Sequence, residues 1–89
     1  MRIPKLTTQF RKDVKLAQRR GKYLRQLKRI LSALIDGEML DVRYRDHLLK
    51  GEYKNRRECH IESDWLLIYK IDNESIIFER TGTHSDLFE

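Results

Sequence analysis

Apolar residues recur along this chain with two different periods, and the change of period divides it in two. Between Thr8 and Arg20, Phe10, Val14 and Ala17 return at helical spacing. This predicts a weakly amphipathic helix with Thr7 or Thr8 as N-cap and Gly21 as stop. The pattern strengthens over Lys22–Ile35, where Leu24, Leu27, Leu31 and Leu34 follow at intervals of 3, 4 and 3; Ile30 and Ile35 widen the stripe, and Asp36-Gly37 closes it. Further on, aromatic and β-branched residues take over. Trp65–Ile71 and Ile76–Phe78 are separated by the turn-forming Asp72-Asn73-Glu74-Ser75, the pattern of a hairpin. A third strand, from about Tyr53 to Ile61, joins that hairpin through Glu62-Ser63-Asp64, so the simplest sheet is a three-stranded antiparallel meander.

The remaining stretches are less informative. Arg2–Leu6 contains Pro4, which has no N–H for a ladder, so any strand there is short or at an edge. Glu38–Gly51 shows neither period and reads as a loop leading into the sheet. The expected fold is therefore α+β, with two N-terminal helices packed on one face of a small antiparallel sheet, in a single domain spanning residues 1–89.

Charge sharpens this division. The net +5 conceals 13 basic and 4 acidic residues in 1–45, net +9, against 6 and 10 in 46–89, net −4. The predicted helices carry Arg11, Lys12, Lys15, Arg19, Arg20, Lys22, Arg25, Lys28 and Arg29, interrupted only by Asp13. A solvated helix face usually mixes signs, so this one suits a nucleic-acid backbone or an acidic protein segment. The first ten residues lack the apolar core of a signal peptide and no run approaches the ~18 residues of a membrane span, so a cytoplasmic protein with no membrane partner is expected. The lone Cys59 excludes an intrachain disulfide and alternates out of phase with His60, which fits a small buried hydrophobe.

In a three-stranded meander, the end of the first strand, the start of the second and the end of the third share one sheet edge. His60, Asp64, Trp65, Arg80 and His84 fall at or near those places. Imidazole exchanges protons near neutrality, and two histidines at one edge can divide the roles of acid and base while Asp64 orients one of them or acts itself. Arg80 and Arg57 are candidate phosphate contacts, although strand alternation puts Arg57 opposite in phase to His60 unless a bulge intervenes. A helical turn after Gly82 would bring His84 and Phe88 to one side, where Phe88 could stack on a base. Two rival readings stay open at this point. Three histidines and an aspartate would suit zinc, but neither a helical His-x-x-x-His nor a cysteine pair is present. A non-catalytic module could instead grip single-stranded nucleic acid by stacking and charge.

Three ordered motifs, DHLLKG at 46–51, CHIESDWLLIYKI at 59–71 and FERTGTHSDLF at 78–88, with the basic helix KDVKLAQRR at 12–20, resemble the YafQ branch of the RelE-type bacterial toxins. The resemblance covers nearly the whole chain; Ser63 stands where that branch often has proline. It implies a compact α+β toxin fold and endonucleolytic cleavage of mRNA in the ribosomal A site, with no metal or other cofactor. Matching residue by residue, it implies catalytic roles for His47, His60, Asp64 and His84 and substrate positioning by Trp65 and Phe88. It implies as partners the bacterial 70S ribosome at its A site and 16S rRNA, mRNA, and a ribbon-helix-helix antitoxin through which alone operator DNA is contacted. Lys15, Arg19, Arg20 and Lys22 are then expected to meet rRNA phosphates. Only the resemblance, not the meander, places His47 at the edge.

Overall fold

The computed structural model describes residues 1–88. In chain order they form β1 (Ile3–Leu6), α1 (Thr8–Arg19), α2 (Leu24–Ile35), β2 (His47–Leu48), β3 (Arg57–Glu62), β4 (Trp65–Asp72), β5 (Ser75–Gly82) and α3 (His84–Phe88). Thr7 caps α1, its hydroxyl accepting from the Phe10 N–H at 2.9 Å, and Gly21, at φ +87°, lets the chain reverse between the helices. Phe10 and Ala17 of α1 and Leu27, Ile30 and Leu34 of α2 are buried against Cys59, Ile61, Trp65, Leu67, Tyr69, Ile76 and Phe78, so both apolar stripes cover one face of the sheet.

The sheet has five strands in the order β1-β5-β4-β3-β2. The expected meander is its centre, but the sheet is mixed rather than antiparallel, because β1 pairs parallel with β5 from Ile3↔Ser75 to Leu6↔Phe78. Ile3 N–H donates to Glu74 O and Thr7 N–H to Phe78 O, so alternation turns the donorless nitrogen of Pro4 outward, where no ladder needs it. All four residues of β1 are exposed, which is why no alternation announced a strand.

Two boundaries also differ from expectation. The strand before the hairpin begins at Arg57 rather than Tyr53, since Gly51–Tyr53 forms a 3-10 turn and Asn55 adopts a left-handed φ of 69°. The stretch read as loop contains a 3-10 turn, Val42–Tyr44, and the two-residue β2, paired antiparallel as His47↔Glu58 and Leu48↔Arg57. A bulge between His60 and Glu62 shifts the register against β4. On the face away from α1 and α2, α3 buries Leu87 against Leu66 and Ile68, with Leu49 and Tyr53 packed around them.

Candidate active site

Strand alternation sorts β3 into two sets. Cys59 and Ile61 point into the core under the helices, whereas Glu58 and His60 face the other way. Because β2 pairs His47 with Glu58, the His47 ring lies beside that of His60, with centroids 6.3 Å apart. The third ring comes from α3: His84 lies 5.9 Å from His60, and Phe88, four residues on, lies 6.4 Å from His84. Tyr53 meets Phe88 edge to face at 5.5 Å. His47, His60, His84 and Phe88 thus form one row across three elements.

Asp64, in the β3–β4 turn, accepts from the His84 backbone N–H at 2.9 Å and meets His84 Nδ1 at 2.6 Å. The backbone bond first, then the side-chain bond, holds its carboxyl below the usual carboxylate range. Asp64 is therefore ionised at neutral pH and only accepts, which puts a proton on His84 Nδ1 and leaves Nε2 as the ring atom free to exchange protons. The His84 side chain is 55% exposed, so that nitrogen is accessible. His47 is fixed by comparable logic: its Nδ1 donates to Arg45 O at 2.6 Å, and its Nε2 lies 3.4 Å from Glu58 Oε1.

Glu58 is the member of this cluster that sequence reasoning missed. Its buried carboxylate lies 3.4 Å from Nε2 of both His47 and His60, placing a negative charge against both rings. A signal was available, since Glu58 precedes His60 by two residues and shares its face in any strand. The capping residues of α3 were also overlooked. Thr83 N–H donates to Asp86 Oδ2 at 2.9 Å while Asp86 N–H donates to Thr83 Oγ1 at 3.1 Å, a reciprocal cap. Arg20 reaches over from the end of α1 and donates to both Asp86 oxygens, at 2.7 and 3.3 Å. Arg20, followed by the Thr83 N–H, draws the Asp86 carboxyl down to about 2. Gly82 allows this approach, because a Cβ there would stand 2.9 Å from the Asp86 Cβ.

Other expected site residues lie elsewhere. Trp65 is only 2% exposed and packs in the core beneath the helices, so it presents no ring face for stacking on a substrate. Arg57 stays on the helix side, donating at 3.2 Å to Asp46, whose Oδ1 also accepts from Tyr69; the bulge falls beyond His60 and does not re-aim it. Arg80 Nε donates to Asp13 Oδ2 at 2.8 Å, and the same buried carboxylate accepts from Thr81 N–H and Gln9. The lone acid of the basic helix is thus an anchor for β5. Among the basic candidates, Arg20 is tied to Asp86 and Lys22 to Glu62 at 2.6 Å, while Lys15 and Arg19 are exposed and form no ion pair among the described residues. Cys59 is fully buried, and desolvation pushes its thiol up to about 12, which removes it as a nucleophile.

A cavity of about 690 Å³ opens beside the row, lined by His60, His84, Gln26, Arg43, Tyr44 and Arg45 among others. Arg43 and Arg45 lie in the stretch without periodicity, and no pattern in the sequence singles them out. Among the described residues, no group of three or more histidine, cysteine, aspartate and glutamate side chains is arranged to hold a metal ion, so the residues present do not fit a zinc centre. No described helix is long and apolar enough to cross a membrane.

Three similarities place this arrangement among known proteins. The mRNA interferase toxin YafQ of Escherichia coli K12 is 48% identical over 81 residues, covering 90% of this chain and 88% of that protein. The crystal structure of the E. coli DinJ-YafQ complex contains a chain that superposes with a TM-score of 0.93 at 44% identity, covering 100% of both chains. A metal-bound toxin from Helicobacter pylori superposes at 0.92 with 36% identity, covering 99% of this chain and 100% of that one. The family model of the bacterial toxin of type II toxin-antitoxin system, YafQ, matches residues 2–89, and the chain belongs to that family.

Proposed function

We propose that this toxin is an endoribonuclease that cuts mRNA held in the ribosomal A site, using the 2′-hydroxyl of the RNA as nucleophile and no metal. The observation that carries this reading is the row His47, His60 and His84, with Asp64 bonded to His84 and Glu58 facing the other two. RNA brings its own nucleophile, so a protein need only orient it, accept its proton and supply another to the departing oxygen. In the arrangement proposed, His60 takes the 2′-hydroxyl proton as the 2′-oxygen bonds to phosphorus. The phosphorus–5′-oxygen bond breaks, and His84 Nε2 gives its proton to that oxygen, leaving a 2′,3′-cyclic phosphate and a 5′-hydroxyl. In this reading Asp64, held ionised by its two bonds to His84, orients that ring and stabilises its charge, and the acid is His84. Phe88, 45% exposed at the end of the row, offers a face for a base.

The partners proposed are the ribosome, mRNA and a ribbon-helix-helix antitoxin, the last by analogy with the DinJ-bound E. coli relative. Contact with operator DNA would come only through the antitoxin, and action on ribosomes sets the cytoplasm as its site. Lys15 and Arg19 are the exposed cations best suited to rRNA phosphates, with Arg20 and Lys22 occupied by Asp86 and Glu62. Inducing the protein in bacteria and mapping mRNA 5′ ends tests the reading: cuts in coding frame that vanish when ribosomes are withheld support it. Intact mRNA together with tight RNA binding would refute it in favour of a non-catalytic module, and cleavage abolished by EDTA at constant magnesium would refute its metal independence.

A further inference from the structure

As the 2′-oxygen attacks, negative charge gathers on the phosphate and the strand must be held in line with the histidines. The two arginines expected to meet phosphate are engaged elsewhere, Arg80 by Asp13 and Arg57 by Asp46. Two others share the cavity with His60 and His84, and no role has been assigned to them. Resting on the nuclease reading above, we propose that Arg43 and Arg45 form a phosphate subsite that holds the RNA phosphodiester adjacent to the scissile one.

The first support is orientation. The Arg43 guanidinium lies over the ring of buried Tyr44, 4.8 Å from its centroid, and donates to the Tyr44 hydroxyl at 2.8 Å; that oxygen also accepts from Gln26 at 2.6 Å. Stacking and one bond fix the plane of the group and leave its other N–H donors for a ligand, in the fork geometry that matches phosphate oxygens. The second support is an unengaged charge. Arg45 is exposed and its side chain makes no ion pair or hydrogen bond among the described residues. Its backbone occupies the left-handed region at φ 50°, ψ 44°, an uncommon place for an arginine, and its carbonyl accepts from His47 Nδ1. The residue that offers the free cation therefore also tethers one end of the histidine row.

The third support is the field. Among the described residues Glu62 is the one acid lining the cavity, and Lys22 faces it at 2.6 Å; Asp64 and Glu58 are turned to the histidines, so neither arginine is met by a carboxylate there. A volume of about 690 Å³ lies within the ~300–1,000 Å³ typical of ligand sites, which leaves room for a nucleotide beyond the one at the histidines. An acidic protein segment would also answer to two arginines, but it would have no use for two histidines in the same cavity.

Single-turnover cleavage on programmed ribosomes tests the subsite, using mRNA with an uncharged methylphosphonate at the phosphate on either side of the cut. Wild-type protein should lose ~10- to 100-fold at one of these positions, the size of a charge-assisted hydrogen bond. Arg43→Gln/Arg45→Gln should lose as much on unmodified mRNA and nothing more on the methylphosphonate, and Arg45→Lys should recover part of the rate. Unfolding midpoints within error of wild type for Arg45→Gln alone, which leaves the Tyr44 stack intact, separate this loss from misfolding. Equal rates for wild type and double variant, an undiminished methylphosphonate effect in the variant, or weakened antitoxin binding with full cleavage would each overturn the subsite. A wild-type protein that leaves all mRNA intact would instead overturn the nuclease reading and the subsite with it.

Discussion

Removing the Asp13 carboxylate should unfasten β5 from α1. Its oxygens accept from Arg80 Nε at 2.8 Å, Thr81 N–H at 3.1 Å and Gln9 Nε2 at 3.0 Å, and the residue is 6% exposed. Past Phe78, β5 has no β1 residue beside it, so the Thr81 N–H looks to this side chain for its acceptor. In Asp13→Ala, the orphaned and buried Thr81 N–H costs about 1–3 kcal/mol. Breaking a fully buried ion pair costs about 3–5 kcal/mol, but Arg80 keeps a quarter of its side chain in water and can rehydrate, so its share is smaller. The total expected is about 2–4 kcal/mol. With a urea dependence of about 1–2 kcal/mol/M for a chain this small, the unfolding midpoint should fall by roughly 1–4 M at unchanged slope. Asp13→Asn, which keeps one acceptor and loses the charge, should fall between. Lys15→Ala, an exposed neighbour on the same helix, should stay within about 0.5 kcal/mol. An Asp13→Ala midpoint indistinguishable from that of Lys15→Ala would refute the anchor.

Further outcomes can be checked independently. His60→Ala and His84→Ala should each slow single-turnover cleavage by ~100- to 10,000-fold at unchanged ribosome affinity, and wild-type rates in both would remove the row from the chemistry. Trp65→Ala should cost about 3–5 kcal/mol of stability as a core truncation, whereas Trp65→Phe, which deletes an indole N–H that has no partner among the described residues, should cost much less; a stable Trp65→Ala with slow, base-dependent cutting would restore a direct role on substrate. Replacing Lys15 and Arg19 with glutamine should reduce the salt-dependence slope of ribosome binding by roughly one per lost phosphate contact, and an unchanged slope would mark that face as merely solvated. Asp86, drawn to about 2 in the folded protein, has a folded value below its unfolded one, near 4. The hold on α3 should therefore be complete above about pH 4 and fade as pH falls toward 2, with Arg20→Gln raising the folded-state midpoint and so narrowing that window from below. An NMR titration of the Asp86 carboxyl with a midpoint near 4 would contradict this.

The helices and the hairpin were legible because each buries one continuous stripe or one alternating face, and such patterns survive in sequence regardless of what lies opposite. His60, Asp64 and His84 were legible for a related reason, since a meander brings known strand ends together whatever its loops do. β1 was not, because its four exposed residues owe their place to the edge of β5 rather than to any pattern of their own. His47 was reached only through family resemblance: a two-residue strand has no period, and its pairing with Glu58 is a tertiary fact. The basic face was read correctly as a cluster and too simply as a surface, because sequence gives the sign of Arg20 and Lys22 but not the carboxylates 66 and 40 residues away that meet them. Trp65 misled for the opposite reason, as its place beside Asp64 in the chain says nothing about which face of β4 it takes.

The reciprocal cap on α3 has a consequence for how such a molecule can be silenced. Five residues make too short a helix to persist in water alone, so His84 and Phe88 hold their places through Thr83, Asp86, Arg20, Leu87, Tyr53 and the two bonds to Asp64. Most of those attachments lie outside the cavity. An inhibitor need not plug the cleft or unfold the sheet; drawing away Arg20 or lifting Leu87 would leave five strands intact around an incomplete catalyst. Disarming and rearming could then proceed at the speed of a local rearrangement, with the rest of the protein preserved for its next use.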